Sequence, residues 1–370
     1  MGRYRIFAFS DRDGDRRYTP GKDPIAVPPA DLRLTARGER VRLAPLRTAL
    51  RDTMPPRLLS SRTPDRRRLS LRFDEPVRSP ADLSLAATED RLQILACYAA
   101  ADDSSRVEFL TAPQQSGVSY WIRLEGIVDR AGNAISAGER VRVKGDGRAD
   151  QRRPRVVSVF PPFESRYVSP DAALTIDFSE AMASATPSGF WVVSDSTVAP
   201  EGRFFWVAPN RLRFAPGHLW TPGETYRLQG HPERVVDATG NALEAGPAFR
   251  FTVVSPGDLG RLSGALVPIE GRAVIEVRRI SPPAQVYFAT VAPGDSLYTL
   301  AGLIPGRYRV SGFLDRNGDR TWTPGTMLPF SPAEPVTAVA DTLEVRARWE
   351  SVSERRFSLD AWSVVDETAF

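Results

Sequence analysis

The chain has little of what catalysis, metal binding or membrane insertion draws on. Cys97 is its one cysteine, so no internal disulfide can form. Its two histidines, His218 and His231, have no cysteine or second histidine at zinc-ligand spacing. Neither stands in a recognisable nucleophile setting, which leaves a Ser–His hydrolase without its base. No Gly-x-Gly-x-x-Gly opens a helix and no phosphate loop is present, so the sequence offers no cofactor site. No apolar run reaches the roughly 18 residues that a membrane helix needs. The first residues, Met1 to Phe7, lack the apolar core and small-residue cleavage site of a signal peptide. Lysine is nearly missing: Lys22 and Lys144 stand alone, and the net charge of +4 is arginine-based and interleaved with acids. Nucleic-acid binding needs a one-sided basic patch. The nearest run, Arg66-Arg67-Arg68, reads as a solvated stretch entering a strand.

What is abundant is turn chemistry. The 370 residues include 32 prolines and 27 glycines, too many for long helices. Between these breakers lie short runs of valine, threonine and aromatics, the punctuation of many short strands. With 42% hydrophobic and 25% charged residues the chain is not disordered, and its length predicts two to four domains. Cys97, within Leu95-Ala96-Cys97-Tyr98, reads as a small buried hydrophobe.

Two repeats organise the chain. Gly2–Gly21 (GRYRIFAFSDRDGDRRYTPG) and Gly306–Gly325 (GRYRVSGFLDRNGDRTWTPG) are identical at 13 of 20 positions without a gap. The second copy is preceded by strand-like sequence such as Val274-Ile275-Glu276-Val277 and Gln285-Val286-Tyr287-Phe288-Ala289. The first is preceded by Met1 alone, so the N-terminal module is expected to lack its first half and to expose open strand edges.

Between these copies lies a second repeat of about 100 residues. Leu69-Ser70-Leu71-Arg72-Phe73-Asp74-Glu75 parallels Leu174-Thr175-Ile176-Asp177-Phe178-Ser179-Glu180. Arg106-Val107-Glu108-Phe109 parallels Arg211-Leu212-Arg213-Phe214, and Val128-Asp129-Arg130-Ala131-Gly132-Asn133 parallels Val236-Asp237-Ala238-Thr239-Gly240-Asn241. In the first pair, apolar and polar residues alternate, giving one dry and one wet face. The Asp-x-x-Gly-Asn segments read as turns, because Asp caps its own backbone while Gly and Asn tolerate positive φ. The expected fold is all-β: tandem Ig-like β-sandwiches over 51–149 and 150–255, flanked by prealbumin-like β-sandwich modules. Of those, 1–50 is partial, 256–350 is complete, and 351–370 is a tail of unknown role. Prolines at Pro55-Pro56 and Pro256 stiffen the outer junctions, while Gly145-Asp146-Gly147-Arg148 predicts a more flexible middle one.

At these residues the chain resembles a known group. The paired units are similar to bacterial Ig-like domains of the SbsA type found in surface-layer proteins, with a Phe-Ser-Glu strand end at Phe178-Ser179-Glu180 and an Asp-x-x-Gly-Asn turn. The first unit departs from this pattern with Phe73-Asp74-Glu75. The flanking units resemble the prealbumin-like or carboxypeptidase-regulatory-like sandwich of Bacteroidetes-type surface lipoproteins, through Leu303-Ile304-Pro305-Gly306-Arg307-Tyr308-Arg309-Val310 and the following acidic loop. The resemblance implies export, a surface location and no catalysis.

Three sets of residues remain as chemical candidates. Asp11, Asp13 and Asp15, and in the twin loop Asp315, Asn317 and Asp319, place oxygen ligands at alternate positions, as calcium loops do. An EF-hand would need glycine sixth and glutamate twelfth, where Arg16 and Lys22 or Arg320 and Thr326 stand. Calcium and a plain hairpin turn both remain open for these loops. Phe205 and Trp206, in Phe204-Phe205-Trp206, offer a ligand-binding stripe. The alternative is that Phe204 and Trp206 fill the core while Phe205 packs under a loop. Glu75 and Glu180 could suggest acid–base work, but equivalent positions in separate units favour a repeated structural role. The expectation is a non-enzymatic, extracytoplasmic spacer or adhesin-like string, with an unknown protein or polysaccharide partner. The alternative is a carbohydrate- or protein-binding accessory region of a larger exported protein.

Overall fold

A computed structural model of the chain describes residues 2–35, 41–43, 45–78, 92–124, 126–184, 186–195, 200–282, 284–337, 342–359 and 362–364. The fold is all-β, with short 3-10 turns and no α-helix among the described residues. Two compact units form: Thr53–Val254, and Met1–Asp52 together with Ser255–Phe370.

The unit Thr53–Val254 holds two Ig-like β-sandwiches with separate cores. In the first, a four-stranded sheet runs in the order Leu58–Asp65, Arg68–Phe73, Arg106–Thr111, Ile94–Ala99. The pair Ser119–Arg123 and Arg140–Lys144 supplies facing side chains. Leu69, Leu71, Phe73, Val107 and Phe109 point inward with Tyr120, Ile122 and Val143. Burying each such side chain contributes roughly 1.5–3 kcal/mol, which is why the period-2 alternation fixes the register.

The second sandwich repeats the arrangement with sheet order Val156–Phe160, Leu174–Phe178, Arg211–Pro216, Gly202–Ala208. Its other sheet is Ser165–Val168, Ala248–Val253, Thr225–Gly230, Phe190–Ser194, with the first two strands parallel. The registers coincide between the sandwiches: Val107 faces Leu71 as Leu212 faces Ile176, and Phe109 faces Leu69 as Phe214 faces Leu174. Aromatics dominate this core, with Trp220 against Phe214, Tyr226 and Phe251.

The middle junction, read from sequence as flexible, is tied down. Gly145 exchanges backbone bonds with Val118 and Gly117, and Arg66 N–H donates to the Arg148 carbonyl at 2.8 Å. A Cβ on Gly145 would meet the Gln115 carbonyl at 2.4 Å, so glycine here serves close backbone approach rather than freedom.

In the other unit, the complete sandwich has a three-stranded sheet (Leu297–Leu303, Gly260–Leu266, Glu350–Phe357) and a four-stranded sheet (Val286–Val291, Arg272–Arg279, Gly306–Asp315, Thr342–Val345). Glu350–Phe357, which the sequence boundary at 350 leaves with the tail, pairs in parallel with Gly260–Leu266. Phe357 and Leu359 join the core. Trp362–Val364 pairs with Val41–Leu43; residues 365–370 lie outside the described residues. The N-terminal segment packs within this same unit. Gly2–Tyr4 pairs with Leu32–Leu34, the Arg5 guanidinium lies 3.4 Å from the Phe330 ring centroid, and Ala26 and Val27 are buried.

Candidate functional site

The polar centre of Thr53–Val254 lies where its two Ig-like sandwiches meet. It is built from the outward face of the first sandwich's four-stranded sheet. Alternation that sends Leu69, Leu71 and Val107 inward sends Arg68, Ser70, Arg72, Arg106 and Glu108 outward. This face is not left to water. The Arg68 side chain is 13% exposed, and its Nη1 donates to Glu180 Oε2 of the second sandwich at 2.9 Å. Arg68 Nε lies 3.3 Å from Asp65 Oδ2. Ser70 Oγ donates to Glu108 Oε1 at 2.9 Å, and Arg106 reaches both Glu108 and Asp102.

Further bonds join the sandwiches. Ala181 N–H donates to the Tyr98 hydroxyl at 3.0 Å, and Asn210 Nδ2 donates to the Ala99 carbonyl at 3.1 Å. Burial pushes the Tyr98 phenol well above its ordinary value. Burial likewise raises Glu108 and Asp65. Glu180 is pushed up to about 8, by burial first and then by Asp150 and Asp237, against the pull of Arg68. Carboxylate oxygens of Asp150, Glu180 and Asp237 lie within 4.8 Å of one another. Asp237 is already engaged by its own turn: Oδ1 accepts Thr239 N–H at 2.7 Å and Asn241 N–H at 2.9 Å.

Beside this network is a cleft of about 390 Å³ lined by seven arginines and three carboxylates, with Ser60, Ser70 and Ser179. Its floor is Arg68, Arg106, Glu108 and Glu180; exposed Arg62, Arg72, Arg152 and Arg155 form its rim.

The sequence candidates fall elsewhere. In the loop after Ala8–Phe9, Asp11 accepts Gly14 N–H at 2.7 Å and Arg16 N–H at 2.8 Å, and Asp15 accepts Arg17 N–H. Asp13 Oδ1 accepts Asp15 N–H at 3.3 Å. The backbone bonds hold Asp11 below the usual carboxylate range, Arg16 most of all. The twin loop repeats this: Asp315 accepts Gly318 and Arg320 N–H, Asn317 accepts Asp319 N–H, and Asp319 accepts Thr321 N–H. Gly14 and Gly318 sit at φ +77 and +80, where glycine is needed. A buried carboxylate clamps each loop, Asp23 on Arg12 and Thr19 N–H and Glu334 on Arg316 and Thr323 N–H. Asp11, Asp13 and Asp15 also stand close enough to share a cation.

Trp206 and Phe204 pack against the second core, and Trp206 meets Phe178 at 5.8 Å between centroids. Phe205 projects to the opposite face beneath the Arg203 guanidinium, 5.4 Å from its ring. Phe205 and Trp206 therefore do not form one surface. His218 is exposed, and exposed His231 lies tilted against Trp191 with ring centroids 4.6 Å apart. Cys97 is half-buried against the first core.

One reading from sequence needs correction. Arg66-Arg67-Arg68 is not a solvated stretch: Arg66 is exposed, but Arg68 is enclosed by the second sandwich. The reason is tertiary, because an outward strand position meets a neighbouring domain. Glu75 lies beside Asp129 as Glu180 lies beside Asp237, with carboxylate oxygens within 4.8 Å in each pair, and Glu180 in addition accepts from Arg68. Sequence reasoning missed Arg68 and Glu108. The available signal was the repeat itself, in which Arg68 and Glu108 replace Ala173 and Arg213 at outward positions.

Residues 150–253 match the family model of the bacterial Ig-like domain. The first sandwich shares its landmarks and strand register. No curated protein matches the chain. Among solved structures, the N-terminal part of the bacterial S-layer protein SbsC is 11% identical, with a TM-score of 0.24, over 45% of this chain and 42% of that one. The chain thus spans less than half of that structure's length. An L,D-transpeptidase from Mycobacterium smegmatis is 14% identical (TM-score 0.23) over 56% of this chain and 90% of that one. Alpha-2-macroglobulin from Escherichia coli, spanning domains MG0-NIE-MG1, is 14% identical (TM-score 0.23) over 46% and 68%.

Proposed function

We propose that the chain is a non-enzymatic structural module of the bacterial cell surface, in which the paired Ig-like sandwiches act as one stiff spacer. The observation behind this reading is the Arg68–Glu180 junction. Arg68, Glu180 and Tyr98, all largely withdrawn from water, are spent on joining one sandwich to the next. A catalytic pair would instead face a substrate with its acid and base poised for proton transfer. Here each raised glutamate is held by an arginine, Glu180 by Arg68 and Glu108 by Arg106. The match of residues 150–253 to the bacterial Ig-like domain supports the same reading.

The test is surface labelling. An antibody raised against the purified chain is expected to stain intact cells of the source bacterium. Staining only after lysis would refute the surface assignment.

A further inference from the structure

We propose that the cleft between the two Ig-like sandwiches binds a carboxylated polysaccharide. This deepens the surface reading above by naming a ligand class. The cleft's volume of about 390 Å³ suits one or two sugar rings. Its charge is strongly one-sided, seven arginines against three carboxylates, in a chain whose charges elsewhere interleave.

The arginines differ in availability. Arg68 is committed to Glu180, and Arg106 to Asp102 and Glu108. Arg153 is committed to the carbonyls of Ala242 and Leu243. The rim is looser. Arg72 stands 3.8 Å from Asp103 and Arg155 3.6 Å from Asp102, with side chains 60% and 61% exposed. Among the described residues, the guanidinium groups of exposed Arg62 and Arg152 pair with no carboxylate, though Arg152 N–H donates to Asp150 at 3.0 Å. Guanidinium forks held at a rim recognise planar carboxylates through paired N–H donors.

The remaining lining selects within the anions. Asp102 stands on the rim as an acceptor for hydroxyl groups, and Ser60 and Ser179 add hydroxyls of their own. Apolar lining is slight, which argues against an acidic peptide anchored by hydrophobic side chains.

The experiment titrates the purified 370-residue chain by calorimetry with polygalacturonate, dextran and polyphosphate. Polygalacturonate is expected to bind, more weakly as salt rises, and dextran is not. The double variant Arg62→Gln/Arg152→Gln should bind about tenfold more weakly or worse. Both residues are exposed, so its melting temperature should equal that of the parent. No binding of polygalacturonate, or undiminished binding by the folded double variant, overturns the proposal. Polyphosphate binding as tight as polygalacturonate, with the same losses, also overturns it in favour of an unselective anion cleft. Failure here is separable from failure of the surface assignment, which is read on cells and does not involve the cleft.

Discussion

The two Ig-like sandwiches share their inner faces and differ on their outer ones. Inside, Leu69, Leu71, Val107 and Phe109 correspond to Leu174, Ile176, Leu212 and Phe214, in the same register. Outside, Arg68, Ser70 and Glu108 correspond to Ala173, Thr175 and Arg213. In the first sandwich this face is covered, with Ser70 and Glu108 buried; in the second, Arg213 is exposed and Asp177 holds Arg211 at 2.5 Å near the surface. The inner face is fixed by the cost of exposing apolar area, so it survives duplication. The outer face is free to vary until a neighbour lands on it. What distinguishes one copy from the other is therefore a record of what each copy touches.

The largest effect should come from breaking that asymmetry at its centre. Arg68→Met takes away the buried donor that Glu180 and Asp65 share, a loss of about 1–3 kcal/mol. Arg213→Met, at an exposed outward position of the second sandwich, should change stability by about 0.5 kcal/mol or less. Urea unfolding of the full chain, with hydrogen exchange to localise the loss, measures both. Equal small effects would mean that the junction contributes little to cohesion.

The next contrast is in pH. Glu180 titrates near 8 in the folded chain against an ordinary 4.5, so the folded state holds a proton that the unfolded state has released. Its contribution is complete below about pH 4.5 and is lost as pH rises through about 8. Glu108 and Asp65, both raised by burial, act in the same direction. Melting temperature followed from pH 5 to pH 9 should fall for the parent and fall less for Glu180→Gln. A flat parent profile would show that Glu180 is ionised throughout and paired with Arg68.

Much of the fold was legible in the sequence because strands write their burial as alternation and turns as Asp-x-x-Gly-Asn. Leu174, Ile176 and Phe178 announce an inner face without any knowledge of their partners. The site was not legible in the same way. Arg68 looks like the last of three solvated arginines, and nothing local distinguishes it from Arg66. Its burial depends on Glu180, 112 residues away in sequence. The acidic loops were conspicuous for the opposite reason: Asp11 and Asp315 stand in a local code, and the bonds they make are local. Trp206 was ambiguous because three successive aromatics cannot share one face, and the core takes Phe204 and Trp206 while Phe205 turns away.

The smallest contrast is one in which the sandwiches should behave alike. Asp129 and Asp237 occupy the same turn and are 0% and 2% exposed. Asp129 accepts N–H from Gly132 at 2.6 Å and from Asn133 at 2.8 Å, and its Oδ2 takes the Asn133 side-chain amide at 2.7 Å. Asp237 does the same with Thr239, Asn241 N–H and Asn241 Nδ2. Burial alone would raise Asp129, but Asn133 and the turn N–H groups outweigh it and hold it below the usual range. Its stabilisation is thus present above the unfolded value and disappears as pH falls through the folded one. Asp129→Ala and Asp237→Ala each leave buried donors unmet and should each cost about 2 kcal/mol. Because each turn is closed by its own loop and each Asp stands beside one glutamate, Glu75 or Glu180, the two losses should match. Hydrogen exchange at Asn133 and Asn241 reads them separately. Unequal losses would show that the junction reaches the turns as well, through Asp150, whose carbonyl accepts from Asn241 Nδ2 at 3.4 Å, and so is not confined to the sheet face around Arg68.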